Sequence, residues 1–267
     1  MYLKRFFTDL SKYRKYLICS TKASLKSEVA GSYLAWLWWI LEPFCFMLIY
    51  KFIAESVFNR PIKNAALFVF LGLTVWNFFN KNISASSTLL KTNKGIVTKI
   101  YLPKHLIYIR QMMVSAFKMA ISLGICVVLA LYYIITKGYD ALPLDWHVVF
   151  VIPSILMLTL VTFGFGLLIM HFGVYVQDLS KIVRIALRLV FYLSGVFYNI
   201  SSIGKYGSLL LNVNPVALAM EGCRNAIMYQ AQPDWLMLCI WTAIGLLLSA
   251  LGIMVVYKNE NNYGKIL

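Results

Sequence analysis

The sequence predicts an all-α membrane protein with six transmembrane helices, an N-terminal amphipathic interfacial helix, and a re-entrant external hairpin before the last span. Three observations carry the prediction. Of 267 residues, 61% are hydrophobic and the mean hydropathy is +0.74, more apolar side chain than a soluble core of this size can bury. The apolar residues collect into six runs, and a bilayer needs about 20 mostly apolar residues per spanning helix. The formal charge of +15 sits largely in the gaps between those runs, where basic residues signal topology rather than a nucleic-acid surface.

The elements follow in order. In residues 1–30, Leu3, Phe6, Phe7, Leu10, Tyr13 and Leu17 share one helical face, with Lys4, Lys12 and Lys15 elsewhere. That pattern suits a helix lying in the membrane interface, or one docked on a partner. Residues 1–30 are charged throughout, so no cleavable signal peptide is expected. The six spans are expected at 33–54, 65–80, 107–135, 147–171, 182–200 and 235–257. Residues 201–234 are too apolar for a plain loop, yet Gly204, Gly207 and Pro215 break them, which points to a re-entrant or interfacial hairpin. Fifteen Lys and Arg fall in the terminal segments and in the gaps on their side, against six in the alternate gaps with Lys51, at the end of the first span, counted among them. Both termini are therefore expected in the cytoplasm. The whole chain, 1–267, reads as one transmembrane domain. Small residues at Ala116, Ala120 and Gly124, and at Gly245 and Ser249, mark faces where helices can pack closely.

Residues with chemical potential are few. Cys19, Cys45, Cys126, Cys223 and Cys239 are scattered without metal-ligand spacing, so no metal site is expected. His105, His147 and His171 lie near span ends. There is no P-loop, no HExxH and no nucleophile set on plausible elements, so the chain is expected to hold no catalytic site or cofactor of its own. A membrane-embedded glycosyltransferase or polymerase would need clustered acids, and Asp140, Asp145 and Asp234 are dispersed.

Intramembrane ionisable residues are more informative, because an unpaired one at the helix centre costs about 2.5–3.5 kcal/mol. Glu42, beside Pro43, falls near the middle of the first run, and Lys118 reaches a similar depth in the third. They are expected to pair across helices; the alternatives are a Glu42 that is protonated or facing a wet cavity, and a Lys118 that snorkels. Arg184 and Arg188 are one turn apart at the start of the fifth span and suit an anionic substrate; for Arg184 the alternative is snorkelling to lipid headgroups, while Arg188 lies deeper and favours a lined pathway. Aromatics gather on the first and fifth spans: Tyr33, Trp36, Trp38, Trp39, Phe191, Tyr192, Phe197 and Tyr198. Such rings are interface anchors or stacking surfaces for sugars.

Four stretches together resemble a known family. "SYLAWLWWILEPFCFMLIY" at 32–50, "TNKGIVTKIYLPKHL" at 92–106, "VYVQDLSKIVRIALRLVFYLSGVFY" at 174–198 and "NPVALAMEGCRNAIMY" at 214–229 are similar, in order, to permeases of ATP-binding cassette exporters that move polysaccharides, O-antigens and teichoic acids. The chain departs from that pattern at Gln177, where arginine is usual, and at Gly195, where proline often follows the serine; Gly195 can still supply a bend.

The resemblance implies a homodimer of twelve spans with two separate ATPase subunits that bind ATP and Mg. It implies a cytoplasmic coupling segment within 81–105, with Asn93, Lys94, Ile96, Val97 and Lys99 toward the ATPase. It implies a polymer path along Tyr33, Trp36, Trp39, Glu42, Arg184, Arg188, Tyr192, Phe197 and Tyr198, and an external gate at Asn214, Pro215, Glu221 and Arg224. The substrate would be a polymer on an undecaprenyl-diphosphate anchor, with membrane lipid but no nucleic acid as further partner. Localisation would be the bacterial inner membrane. An exporter of a small molecule, drug or lipid is the alternative within the same superfamily.

Overall fold

The structure, a computed structural model, describes residues 2–30, 37–56, 64–138, 142, 145–200 and 204–266, and all regular structure among them is helical. The helices are α1 (Tyr2–Lys12), α2 (Arg14–Val29), α3 (Trp38–Ser56), α4 (Ala65–Ser86), α5 (Leu89–Thr92), α6 (Lys94–Lys99), α7 (His105–Lys137), α8 (Val151–Tyr175), α9 (Leu179–Leu193), α10 (Lys205–Val213), α11 (Pro215–Arg224), α12 (Trp235–Lys258) and α13 (Glu260–Ile266). Three stretches are long and apolar enough to cross a membrane: His105–Thr136, Trp146–Tyr175 and Trp235–Lys258. The second begins with a short 3₁₀ turn, Trp146–Phe150, that leads into α8.

α4 is the centre of the bundle. Leu67, Phe68, Val69 and Phe70 are all fully buried, so the helix is covered on every side and shows little amphipathic pattern. α3, α7, α8, α9 and α11 all pack on it. It runs six residues past the expected end at 80, because Asn82, Ile83 and Ser86 are also buried. Asn82 and Ser86 turn their side chains back onto the carbonyls of Phe78 and Ile83. This is how polar side chains are tolerated in an apolar setting.

α8 and α12 form the closest pair. In lipid no hydrophobic force separates helix from solvent, so close pairs rely on dispersion and small residues. Gly164 shows the geometry: a Cβ there would lie 2.6 Å from the Leu248 Cβ and 2.7 Å from the Ser249 nitrogen. Ser249 donates to the Leu160 carbonyl at 3.1 Å, as the Gly245–Ser249 pattern led one to expect. The Ala116–Ala120–Gly124 face of α7 is instead exposed.

The fifth expected span is shorter than its run. α9 stops at Leu193, and Gly195 takes φ +65°, a left-handed turn that glycine adopts freely. The expected bend is therefore a chain reversal that ends the helix. α9 is strongly two-faced: Val183 and Leu187 are buried, while Ile182, Ile185, Leu189 and Tyr192 are exposed.

The N-terminal face divides in two. Phe6 and Leu17 are buried, with Leu10 and Tyr13 packed beside them, whereas Leu3 and Phe7 point outward. Phe6 lies against the rings of His105 and Phe163. α1 is thus docked on α12 and the start of α7, and α2 continues along α7.

Candidate functional site

Between α4 and α9 lies an open groove of about 510 Å³. Trp76, Asn80 and Ser84 line it from α4, and Arg184, Arg188 and Tyr192 line it from α9, with Leu187 and Phe191 at its base. Both triplets are spaced four residues apart, which puts each on one helical stripe. The Trp76 and Phe191 ring centroids are 5.0 Å apart and join the stripes at one end; Ser84 and Arg184 lie toward the other. Phe191 also meets Phe197 edge-on at 5.3 Å, and Tyr198 donates to the Tyr192 carbonyl at 2.7 Å. Arg184 spends its Nε on the Ser180 carbonyl. No carboxylate lines the groove among the described residues. The arrangement offers cations, an amide and a hydroxyl beside aromatic faces, which is a surface for anionic or hydroxyl-rich ligands.

A second, smaller cavity, about 30 Å³, lies between α3, α4 and α7. Glu42 and Lys118 both line it, as do Trp39, Thr74, Asn77, Lys81, Ser115 and Ser122. Their expected mutual pairing is corrected here. The Glu42 carboxylate faces Lys81 at 3.8 Å, and Lys118 pairs with Glu28 of α2. Lys118 also approaches the Trp39 ring at 5.4 Å. Glu42 is the fifth residue of α3 as described and is exposed. Lys81, counted in the sequence as a loop residue, is still within α4 and reaches Glu42 first. Tyr33 and Trp36 lie outside the described residues.

The segment after α4 folds into α5 and α6. Lys94 and Lys99 are exposed and Ile96 is half-buried. Val97 is not on that outer face: it is buried, and its carbonyl accepts from Lys104 Nζ at 3.1 Å. Asn93 is occupied from both sides, donating to Leu89 and accepting from Arg110 at 3.1 Å. The exposed apolar residues here are Ile100 and Tyr101, which sequence reading did not single out. Burial lowers the Lys104 ammonium from its ordinary value, against the pull of Glu260.

At the opposite end, Asn214 caps α11 by accepting from the Val216 and Ala217 amides, with Pro215 at the first helical position. Its amide nitrogen donates to Ser194 Oγ at 2.9 Å. Glu221 lies one turn before Arg224 on α11. Arg224 is fully buried and donates to the carbonyls of Phe68, Gly195 and Val196. It thereby ties α11 to α4 and to the turn after α9. After it the helix loosens into a π turn, Asn225–Tyr229.

A family model for ABC-2 type transporters matches residues 17–228, most of the chain. This chain belongs to the ABC-2 type transporter family. Its groove, its short helices α5 and α6, and the α11 cap all fall within the matched range. Among curated relatives of the ABC-2 type chain, an "O-antigen export system permease protein RfbA" of Myxococcus xanthus is 28% identical over 233 residues, 86% of each chain. A protein of the same description from Klebsiella pneumoniae is 25% identical over 252 residues, 94% of each. The "Polysialic acid transport protein KpsM" of Escherichia coli is 27% identical over 201 residues, 73% of this chain and 74% of its own.

Of the residues singled out from sequence, the structure brings Arg184, Arg188 and Tyr192 into one groove, with Phe197 and Tyr198 beside it. Trp39 and Glu42 belong to the separate cavity. The α4 stripe of Trp76, Asn80 and Ser84 was missed, although polar residues four apart in an apolar helix were a visible signal.

Proposed function

We propose that this ABC-2 type chain is the transmembrane subunit of an exporter that moves a lipid-linked cell-envelope polymer out of the cytoplasm. ATP is hydrolysed in two separate ATPase subunits, which hold the nucleotide and Mg. The polymer is of the polysaccharide type, as the O-antigen and polysialic acid names of the relatives suggest; a teichoic acid fits the same groove. The groove between α4 and α9 carries the reading. Two arginines and an aromatic shelf without a competing carboxylate among the described residues suit a diphosphate anchor followed by sugar rings.

In this reading the protein sits in the inner membrane with six spans: α3, α4 and α9 join the three long apolar helices, and α10–α11 form the external re-entrant segment. Both termini are cytoplasmic, as the distribution of basic residues supports. Lys94, Lys99 and half-buried Ile96 contact the ATPase, while Asn93 and Val97 hold the segment's shape. Asn214, Pro215, Glu221 and Arg224 build the external gate. Two copies assemble so that the exposed apolar face of α9 is covered and the groove gains its far wall. Binding of ATP draws the two coupling segments together and opens the path outward, a rigid-body transition.

The test is export of a lipid-linked polymer by the complex in vesicles. Arg184→Gln with Arg188→Gln is expected to cripple export while the ATPase still co-purifies. Export at the wild-type rate would remove the groove from the path.

A further inference from the structure

Arg5 of α1 meets residues from three other places in the chain. Its Nη2 donates to the Tyr101 hydroxyl at 2.7 Å, just past α6 in the coupling segment, and to Glu260 Oε2 at 3.2 Å, the first residue of α13. The guanidinium lies 4.5 Å above the Tyr257 ring at the end of α12. Asp9, one turn on, stands 3.7 Å from Arg5 Nε and accepts from the Tyr257 hydroxyl at 2.7 Å. A helix that merely lay in the interface would turn such groups toward water. Here they bond to side chains of the bundle instead.

The exposures show where the strength lies. The Arg5 side chain is 42% exposed but that of Glu260 only 7%, and the other Glu260 oxygen has no hydrogen-bond donor among the described residues. A buried carboxylate depends on the cation beside it. Lys104 adds a second positive field at Glu260 and bonds Val97 inside α6. α13 packs on α6 and on α8, where Tyr263 bonds His171 at 2.7 Å. The coupling segment is thus held at Val97 through Lys104 and at Tyr101 through Arg5.

We infer that Arg5 is a positioning residue for ATP-driven transport, locking the N-terminal helix α1, the coupling segment and the C-terminal helix α13 into one body. The inference rests on the exporter reading. ATPase motion then reaches α1 at the membrane surface together with the transmembrane helices, and α1 works as a moving part of the permease rather than a passive float.

The test uses the complete complex with its ATPase in nanodiscs and vesicles. Spin labels are placed at exposed Thr8 and Thr98 in a background freed of native cysteines. Wild type is expected to give one α1-to-coupling-segment distance, the same without nucleotide and with ATP trapped. Arg5→Gln is expected to broaden the ATP-trapped distribution and to lower export about tenfold, the size of one lost charge-assisted hydrogen bond. ATPase co-purification is retained, and Arg5→Lys restores part of the export. Tyr101→Phe removes a single hydroxyl contact without burying anything new, so it reads the same tie where Arg5→Gln fails to fold. A wild-type distance that changes with nucleotide overturns the inference, as does wild-type export from both Arg5→Gln and Tyr101→Phe. Absence of ATP-dependent export from wild type itself would instead remove the exporter reading beneath it.

Discussion

The Arg224 guanidinium lies 3.4 Å from the centre of the Phe68 ring and donates to the carbonyl of that same Phe68 at 3.2 Å. One side chain thus closes a helix-to-helix joint by stacking and by hydrogen bonding. Arg224→Ala would leave the Phe68, Gly195 and Val196 carbonyls without their donor. The expected cost is at least about 3 kcal/mol, read as a lower unfolding temperature of the detergent-solubilised protein. Arg224→Lys keeps the charge but not the planar fork, so it should fall between the two.

The contact between α8 and α12 should be equally intolerant of added volume. Gly164→Ala places a methyl 2.6 Å from the Leu248 Cβ. Forced separation of this kind costs roughly 1–3 kcal/mol. Thermal unfolding checks it, with Gly124→Ala as the control, since nothing lies within 4 Å of a Cβ there.

Tyr192 separates substrate handling from folding. It is 68% exposed, so its replacement should change stability by no more than about 0.5 kcal/mol. Tyr192→Leu is expected to keep ATPase assembly and lose export, whereas Tyr192→Phe keeps both. Polymer export and co-purification from the same preparation decide.

The ion pairs around the small cavity can be assigned by double-mutant cycles. Glu42 with Lys81 should show a coupling of about 0.2–1 kcal/mol, the range of exposed pairs. Glu42 with Lys118 should show less than Lys118 with Glu28. Unfolding of the four single variants, Glu28→Gln, Glu42→Gln, Lys81→Gln and Lys118→Gln, with the three double variants supplies the numbers.

Glu260 gives a pH dependence. Burial, with Asp9 adding to it, holds this carboxyl above its ordinary value of 4.5 despite Arg5 and Lys104. The folded chain therefore binds this proton more tightly than the unfolded chain. The stability Glu260 contributes is full below pH 4.5 and declines as pH rises from there through the raised value. Glu260→Gln stays neutral and should lack that decline; the difference in unfolding temperature between the two proteins across this window is the measurement.

Much of this was legible in the sequence, for identifiable reasons. Long apolar runs placed α7, α8 and α12 within a few residues, because length and hydropathy alone decide a span. The Gly245–Ser249 pattern marked its contact because backbones approach closely only over small residues. Charge partners were not legible. Glu42 and Lys118 share a cavity, yet depth along a helix does not say which side chain on a third helix arrives first, and Lys81 and Glu28 did. Val97 was misplaced because a six-residue helix turns its faces too quickly for a short motif to show which one is outward. Arg5 could not be found at all, since its partners lie 96 and 255 residues away.

α4 is 22 residues long, about 33 Å of helix, and its two ends are both fastened. Arg224 grips the Phe68 carbonyl near one end, and buried Leu89 and Leu90 follow directly on the other. Its first three turns have no free face along which to bend. Such a rod has no slack: travel imposed beside Leu89 must reappear beside Phe68, at the opposite end of the helix, in the same stroke.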